Sequence, residues 1–103
     1  TNIEYIVIDG KSKDNTVKIL KKNKSKINQL IIEKDKGLYD AMNKGLKNAT
    51  GDIIGIVNSG DILYKNTLTA VNDYFLNYSK IDFLFGSVKK HWGILSDFKP
   101  WKI

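Results

Sequence analysis

Short runs of β-branched residues alternate with helical stripes along most of this chain. Residues 4–9 form a continuous apolar run closed by Asp9 and Gly10, the pattern of a strand covered on both faces. Polar residues 11–15 follow, where Ser12 or Asp14 can cap a helix beginning near Asn15. Val17 and Leu20, with Ile19, supply its buried stripe, and the helix should fray across residues 23–25. Residues 27–33, centred on Leu30, Ile31 and Ile32, read as a second buried strand. After a loop at 34–37, Leu38, Ala41, Met42, Gly45, Leu46 and Ala49 recur at helical spacing. Thr50 and Gly51 read as the stop, with the glycine in the left-handed position. Residues 52–57 predict a third strand, running into a polar turn at 58–61. A last helix is expected over 65–79, capped by Asn66 or Thr67, with Leu68, Val71, Phe75 and Tyr78 along one side. Residues 82–89, containing Phe83, Leu84, Phe85 and Val88, predict a fourth strand. From His91 onward the pattern dissolves.

Strand–helix alternation predicts an α/β fold: three layers, α/β/α, around a mainly parallel sheet. Right-handed crossovers then place helices on both faces. Ligands in such sheets bind beyond the carboxyl ends of the strands. That rule selects the loops at 9–14, 34–37 and 58–61, and each carries carboxylates. Each acidic residue also has a structural reading. Asp9 and Asp14 can cap the next helix, Asp35 can shape a turn, and Asp61 can end a strand. Asp40 reads as a solvated helix face, and His91 and Trp92 as loop packing. Three acidic loops on one edge shift the balance towards a site.

Composition narrows the choice. The 103 residues are 42% apolar, enough for one small globular domain with a single core. There is no cysteine and one histidine, which excludes disulfides, thiolate sites and multi-histidine zinc. No apolar run approaches the ~20 residues that span a bilayer. The chain opens on Thr1 and Asn2 without an initiator Met, so a piece of a longer protein is expected. The formal net charge is +6, and all 17 basic residues are lysine. Such a surface favours anionic partners such as phosphates or anionic lipid. The lysines at 18, 21, 22, 24 and 26 read as a solvated face, because nucleic-acid readers lean on arginine. No G-x-G-x-x-G, P-loop or G-x-S-x-G motif is present, which disfavours dinucleotide oxidoreductases, Walker-type NTPases and elbow hydrolases.

Three blocks together carry a resemblance. Residues 5–16, Tyr-Ile-Val-Ile-Asp-Gly-Lys-Ser-Lys-Asp-Asn-Thr, resemble the "strand, then Asp-x-x-Ser-x-Asp-x-Thr" segment of the family-2 (inverting) glycosyltransferases. Residues 35–45, Asp-Lys-Gly-Leu-Tyr-Asp-Ala-Met-Asn-Lys-Gly, resemble a second block of that family. The block continues through Ala49, Thr50, Gly51 and Asp52 to Asn58, Ser59, Gly60 and Asp61. The resemblance covers about residues 4–64. It implies the GT-A fold, here the Rossmann-like nucleotide-binding half, truncated at both ends of a partial domain covering 1–103. It also implies that Asp9 meets the nucleobase, that Ser12, Asp35 and Lys36 flank the nucleotide-sugar, and that residues 58–61 lie over the family's Asp-x-Asp region. There Asn58 replaces the first Asp and Gly60 stands where a second often lies. Asn58 is then expected at the ribose and Asp61 as the metal ligand for Mn²⁺ or Mg²⁺. The family's first strand, expected at the centre of the sheet, should precede Thr1, and its general base should follow Ile103. Asp97 has no matching context and receives no role.

The expected function is transfer of a sugar from a nucleoside-diphosphate-sugar donor to an acceptor hydroxyl. By resemblance, the product is a cell-surface polysaccharide or glycolipid, and the acceptor a glycan or lipid-linked sugar. The expected location is the cytoplasm, with the lysine-rich surface at the inner membrane face. The piece alone should be inactive, and an uncovered edge at residues 5–9 invites a homodimer. One alternative is a non-catalytic nucleotide- or anion-binding domain of the same fold, favoured by the depleted turn at 58–61. A basic nucleic-acid-binding protein is the weaker alternative, since arginine is absent.

Overall fold

The structure is a computed structural model and describes residues 2–89. The readings at His91, Trp92 and Asp97 lie outside the described residues. Two compact units divide the chain, 1–65 and 66–103.

In the first unit, β1 (Ile6–Asp9) pairs in parallel with β2 (Gln29–Ile32). The register sets Ile6 against Gln29 and Asp9 against Ile32. The Tyr5 carbonyl accepts from Gln29 N–H at 3.2 Å, and the Asp9 carbonyl accepts from Glu33 N–H at 3.0 Å. Alternation along a parallel ladder therefore turns the backbone groups of Ile6 and Ile8 towards the opposite edge of β1.

Helix α1 (Thr16–Lys22) joins the two strands and ends at Asn23, whose side-chain amide donates to the Ile19 carbonyl at 2.9 Å. A 3-10 turn follows at Lys24–Lys26. Asn15 occupies the cap position without a side-chain bond. Asp14 accepts from Thr16 N–H at 2.9 Å, whereas Ser12 is engaged elsewhere. Val17 and Leu20 are half-buried, and Ile19 is exposed.

Helix α2 (Leu38–Asn48) packs on β1. Gly45 faces Ile8 across this contact: a methyl there would sit 3.7 Å from Ile8 Cγ1, an ordinary packing distance. Ala41, Met42 and Ala49 share the half-buried face, while Leu38 and Leu46 are exposed. The helix end departs from the expected glycine stop. Ala49 is extended, and Gly51 does not adopt positive φ. Tertiary partners close the end instead. Gln29 Nε2 donates to the Asn48 carbonyl at 3.0 Å, and Glu4 accepts from Thr50 N–H at 2.8 Å and from its hydroxyl at 3.1 Å.

The expected third and fourth strands do not form. Residues 52–57 and 82–89 belong to no sheet, and the sheet has two strands among the described residues. A strand exists through its neighbour's hydrogen bonds, and neither segment pairs with a described strand. Ile54, Ile56 and Val57 are consequently exposed. The single core expected from composition is also missing among the described residues: no hydrophobic side chain is buried, and the one buried residue is Asp9, 6% exposed.

In the second unit, α3 (Thr67–Asn77) follows Asn66, which is left-handed at φ 67° and makes no side-chain cap bond. Val71 and Phe75 are half-buried. Tyr78 does not join them. It is exposed and stacks on Tyr74, with ring centroids 5.8 Å apart.

Candidate functional site

The parallel register brings two of the three acidic loops to one place. β1 and β2 end side by side at Asp9 and Ile32, so the loops that follow leave from the same carboxyl edge. Gly10 is the point of contact. A Cβ there would collide with the Asp35 carboxylate, whose Cγ would lie 3.0 Å away. Absence of a side chain at position 10 therefore lets Asp35 cross over the end of β1.

Asp9 is buried because the next turn folds back on it. Ser12 N–H donates to Asp9 Oδ1 at 2.8 Å, and Ser12 Oγ donates to Oδ2 at 2.6 Å. Between them, Lys11 holds left-handed backbone at φ 66°, a conformation that costs a non-glycine residue roughly 1–2 kcal/mol. Two charge-assisted bonds at Asp9 hold that strained turn. An ionised carboxylate has about four lone-pair positions, so Asp9 keeps acceptor capacity beyond Ser12.

The second loop is held by side chains from α2. Asp40 Oδ2 accepts from Lys36 N–H at 2.9 Å, and Asp35 Oδ1 accepts from Gly37 N–H at 3.0 Å. Lys44 Nζ donates to the Lys34 carbonyl at 2.8 Å and pairs with Glu33 at 3.2 Å and Asp40 at 3.5 Å. The Lys36 backbone bond, with the Lys44 charge, holds the Asp40 carboxyl below its ordinary range, against a smaller desolvation effect. Desolvation pulls the Lys44 ammonium down, but its bonds and charges with Glu33 and Asp40 outweigh that and raise it. Lys36 itself is exposed and makes no ion pair among the described residues.

Residues 58–61 form a tight exposed turn: Asp61 N–H donates to the Asn58 carbonyl at 3.0 Å, and Gly60 takes φ 89°. No hydrogen bond among the described residues ties this turn to either of the other loops. Nor do the described residues hold a group of three candidate metal-ligating side chains. Sequence reasoning placed Asp9, Ser12, Asp35 and Lys36 along the strand edge and missed the partners that shape it. Asp40 is not merely a solvated face, and Lys44 and Glu33 were not singled out. The available signal was the i, i+4 spacing of Asp40 and Lys44 at the start of a helix.

These features define a class. The family model for Glycosyl transferase family 2 matches residues 1–102, and the chain belongs to that family. Among curated relatives, a PGL/p-HBAD biosynthesis glycosyltransferase of Mycobacterium bovis is 31% identical over 91 residues, covering 84% of this chain and 36% of the relative. The UDP-Glc:alpha-D-GlcNAc-diphosphoundecaprenol beta-1,3-glucosyltransferase WfgD of Escherichia coli is 37% identical over 87 residues, covering 84% of this chain and 34% of WfgD. An uncharacterized glycosyltransferase of Mycobacterium tuberculosis is 42% identical over 59 residues, covering 57% of this chain and 22% of its own. The chain thus spans about a third of the length of the first two. No solved structure matches it.

Proposed function

We propose that this chain is the nucleotide-sugar-binding part of an inverting glycosyltransferase, which moves a sugar from a nucleoside-diphosphate donor to an acceptor hydroxyl. The observation that carries this reading is the meeting of the Asp9 and Asp35 loops over Gly10 at the carboxyl edge of a parallel strand pair. The free acceptor positions on Asp9 suit N–H groups of a nucleobase. Ser12 acts on the nucleotide by fixing that carboxylate, and Asp35 accepts from donor hydroxyls. The exposed Lys36 ammonium meets the diphosphate, whose charge grows as the sugar departs. Asn58 offers an amide to the ribose.

Asp61 would hold Mn²⁺ or Mg²⁺. One carboxylate on an exposed turn suits a hard cation that takes its other oxygens from water and the diphosphate; it does not suit an all-protein cage. When bound, the cation neutralises charge on the leaving diphosphate. WfgD's name specifies a UDP-glucose donor and a lipid-linked GlcNAc acceptor. We extend the class to this chain: a nucleoside-diphosphate hexose and a glycan or lipid-linked sugar, in surface polysaccharide or glycolipid synthesis. Work on such an acceptor would suit a protein in the cytoplasm at the inner membrane face, and the net positive charge supports this reading because it favours anionic lipid. No helix of the described residues is long and apolar enough to cross a membrane.

Calorimetric titration of the chain with UDP, GDP, CDP and dTDP, with and without Mn²⁺, tests the reading. Saturable binding of one base, tightened by metal, is expected. Absence of binding to all four by a folded chain would refute it. Depletion of the 58–61 turn supports a second reading, a non-catalytic nucleotide-binding domain, and the same titration without metal dependence would favour it.

A further inference from the structure

The 34–37 loop is short, lies at the candidate site, and has three of its backbone polar groups engaged by side chains. Lys44 takes the Lys34 carbonyl, Asp40 takes Lys36 N–H, and Asp35 takes Gly37 N–H. Two of these three anchors stand on α2, one turn apart, and pair with each other at 3.5 Å. Lys44 is also tied to Glu33, the residue that enters the loop, and its side chain is only 20% exposed. α2 is in turn packed on β1 through Gly45 and Ile8. The loop is therefore suspended from a regular element at two points and from its own Asp35 at a third, an arrangement that holds a binding group in one geometry.

We propose that Asp40 and Lys44 are positioning residues for donor binding: together they hold the 34–37 loop in the single conformation that keeps Asp35 across Gly10 and presents the Lys36 ammonium to a nucleoside diphosphate. Neither side chain touches the donor. The inference rests on the donor-site reading above. If Asp40 is removed, Lys36 N–H loses its acceptor and Lys44 loses one of two carboxylates. If Lys44 is removed, the Lys34 carbonyl is released and Glu33 and Asp40 lose their shared cation. In both cases the loop samples further conformers, and apparent affinity falls by the fraction of competent ones.

The test compares Asp40→Asn, Lys44→Met and Asp40→Glu with the wild-type chain by amide hydrogen exchange without nucleotide, and by titration with UDP and Mn²⁺. In Asp40→Asn and Lys44→Met, exchange at Lys36 and Gly37 should accelerate while β1 and β2 keep their protection. UDP affinity should fall about ten-fold. Asp40→Glu retains a carboxylate at the third helical position, which can reach back to the preceding backbone, and should recover most of the affinity. UDP affinity within about two-fold of wild type despite a loosened loop would overturn the proposal, since couplings that small are within ordinary scatter. Equal loss of protection across β1, β2 and the loop would overturn it too, because the pair would then serve general stability. Failure of the wild type to bind UDP would overturn the donor-site reading and the role assigned to the loop with it. The exchange comparison needs no nucleotide, so that failure is distinct from the other two.

Discussion

Replacing Ser12 with alanine isolates the bond that buries Asp9. The substitution deletes the 2.6 Å hydroxyl bond to Oδ2 and leaves the 2.8 Å backbone bond to Oδ1. A hydrogen bond to a charged group contributes about 1.5–3 kcal/mol. Ser12 is exposed, so solvent replaces part of the loss and the lower end applies. Asp9 is only 6% exposed, so solvent cannot replace all of it. Strain at Lys11 does not add to the loss, since both chains carry it and any relaxation of the turn at φ 66° would offset part of it. We expect a loss of about 1.5 kcal/mol, or roughly 6–12 °C in Tm for a domain of this size. The assay is urea denaturation of Ser12→Ala and Ser12→Thr, with amide exchange at Ser12 as the local readout. Threonine keeps the hydroxyl and should stay close to wild type. Lys11→Gly relieves the left-handed strain and should recover part of the Ser12→Ala loss. A Ser12→Ala change within the ~0.5 kcal/mol typical of surface substitutions would refute the reasoning. It would show that the buried carboxylate does not depend on the hydroxyl. The same geometry makes Asp9→Ala a poor probe of nucleotide contact alone, since it unhooks the 10–14 loop.

Gly10→Ala should displace the Asp35 carboxylate, break its 3.0 Å bond with Gly37 N–H, and cost about 1 kcal/mol of stability, measured by denaturation; unchanged chemical shifts at Gly37 would contradict this. Asp61→Asn should abolish the mutual tightening of Mn²⁺ and nucleoside diphosphate, and independent binding of the two by the wild type would remove Asp61's role. The bonds from Thr50, and from Gln29, hold the Glu4 carboxyl below its ordinary 4.5, outweighing desolvation. Its contribution is therefore present above that value and lost as pH falls through the lowered one. Glu4→Gln should flatten the acid limb of stability against pH below about 4.5, and an unchanged acid limb would place the sensitivity elsewhere. With no hydrophobic side chain buried among the described residues, the chain should bind a hydrophobic dye and associate with rising concentration, seen by light scattering; a dye-silent monomer would show that its apolar surface is covered.

Local order was legible in the sequence wherever hydrogen bonds close locally. α1, α2 and α3 fall where helical stripes predict them, because a helix satisfies its backbone within its own turns. β1 and β2 fall on the two apolar runs that find each other across a short crossover. Their common carboxyl edge placed Asp9 and Asp35 together, since parallel strands that end in register send their loops the same way. Residues 52–57 have an equally strong strand composition and form none, because a strand's hydrogen bonds belong to its neighbour and composition does not name the neighbour. Side-chain partners were equally out of reach. Ser12 turns back to Asp9 instead of capping α1, Glu4 closes α2 in place of Gly51, and Asp40 reaches back to Lys36. Each choice depends on which backbone donors lie within about 3 Å once strand and helix have docked. Sequence by itself determined the helices, the first two strands and the edge where a ligand would sit; only the tertiary structure decided which other apolar runs join the sheet, which carboxylates are spent on holding that edge and which are left for the ligand.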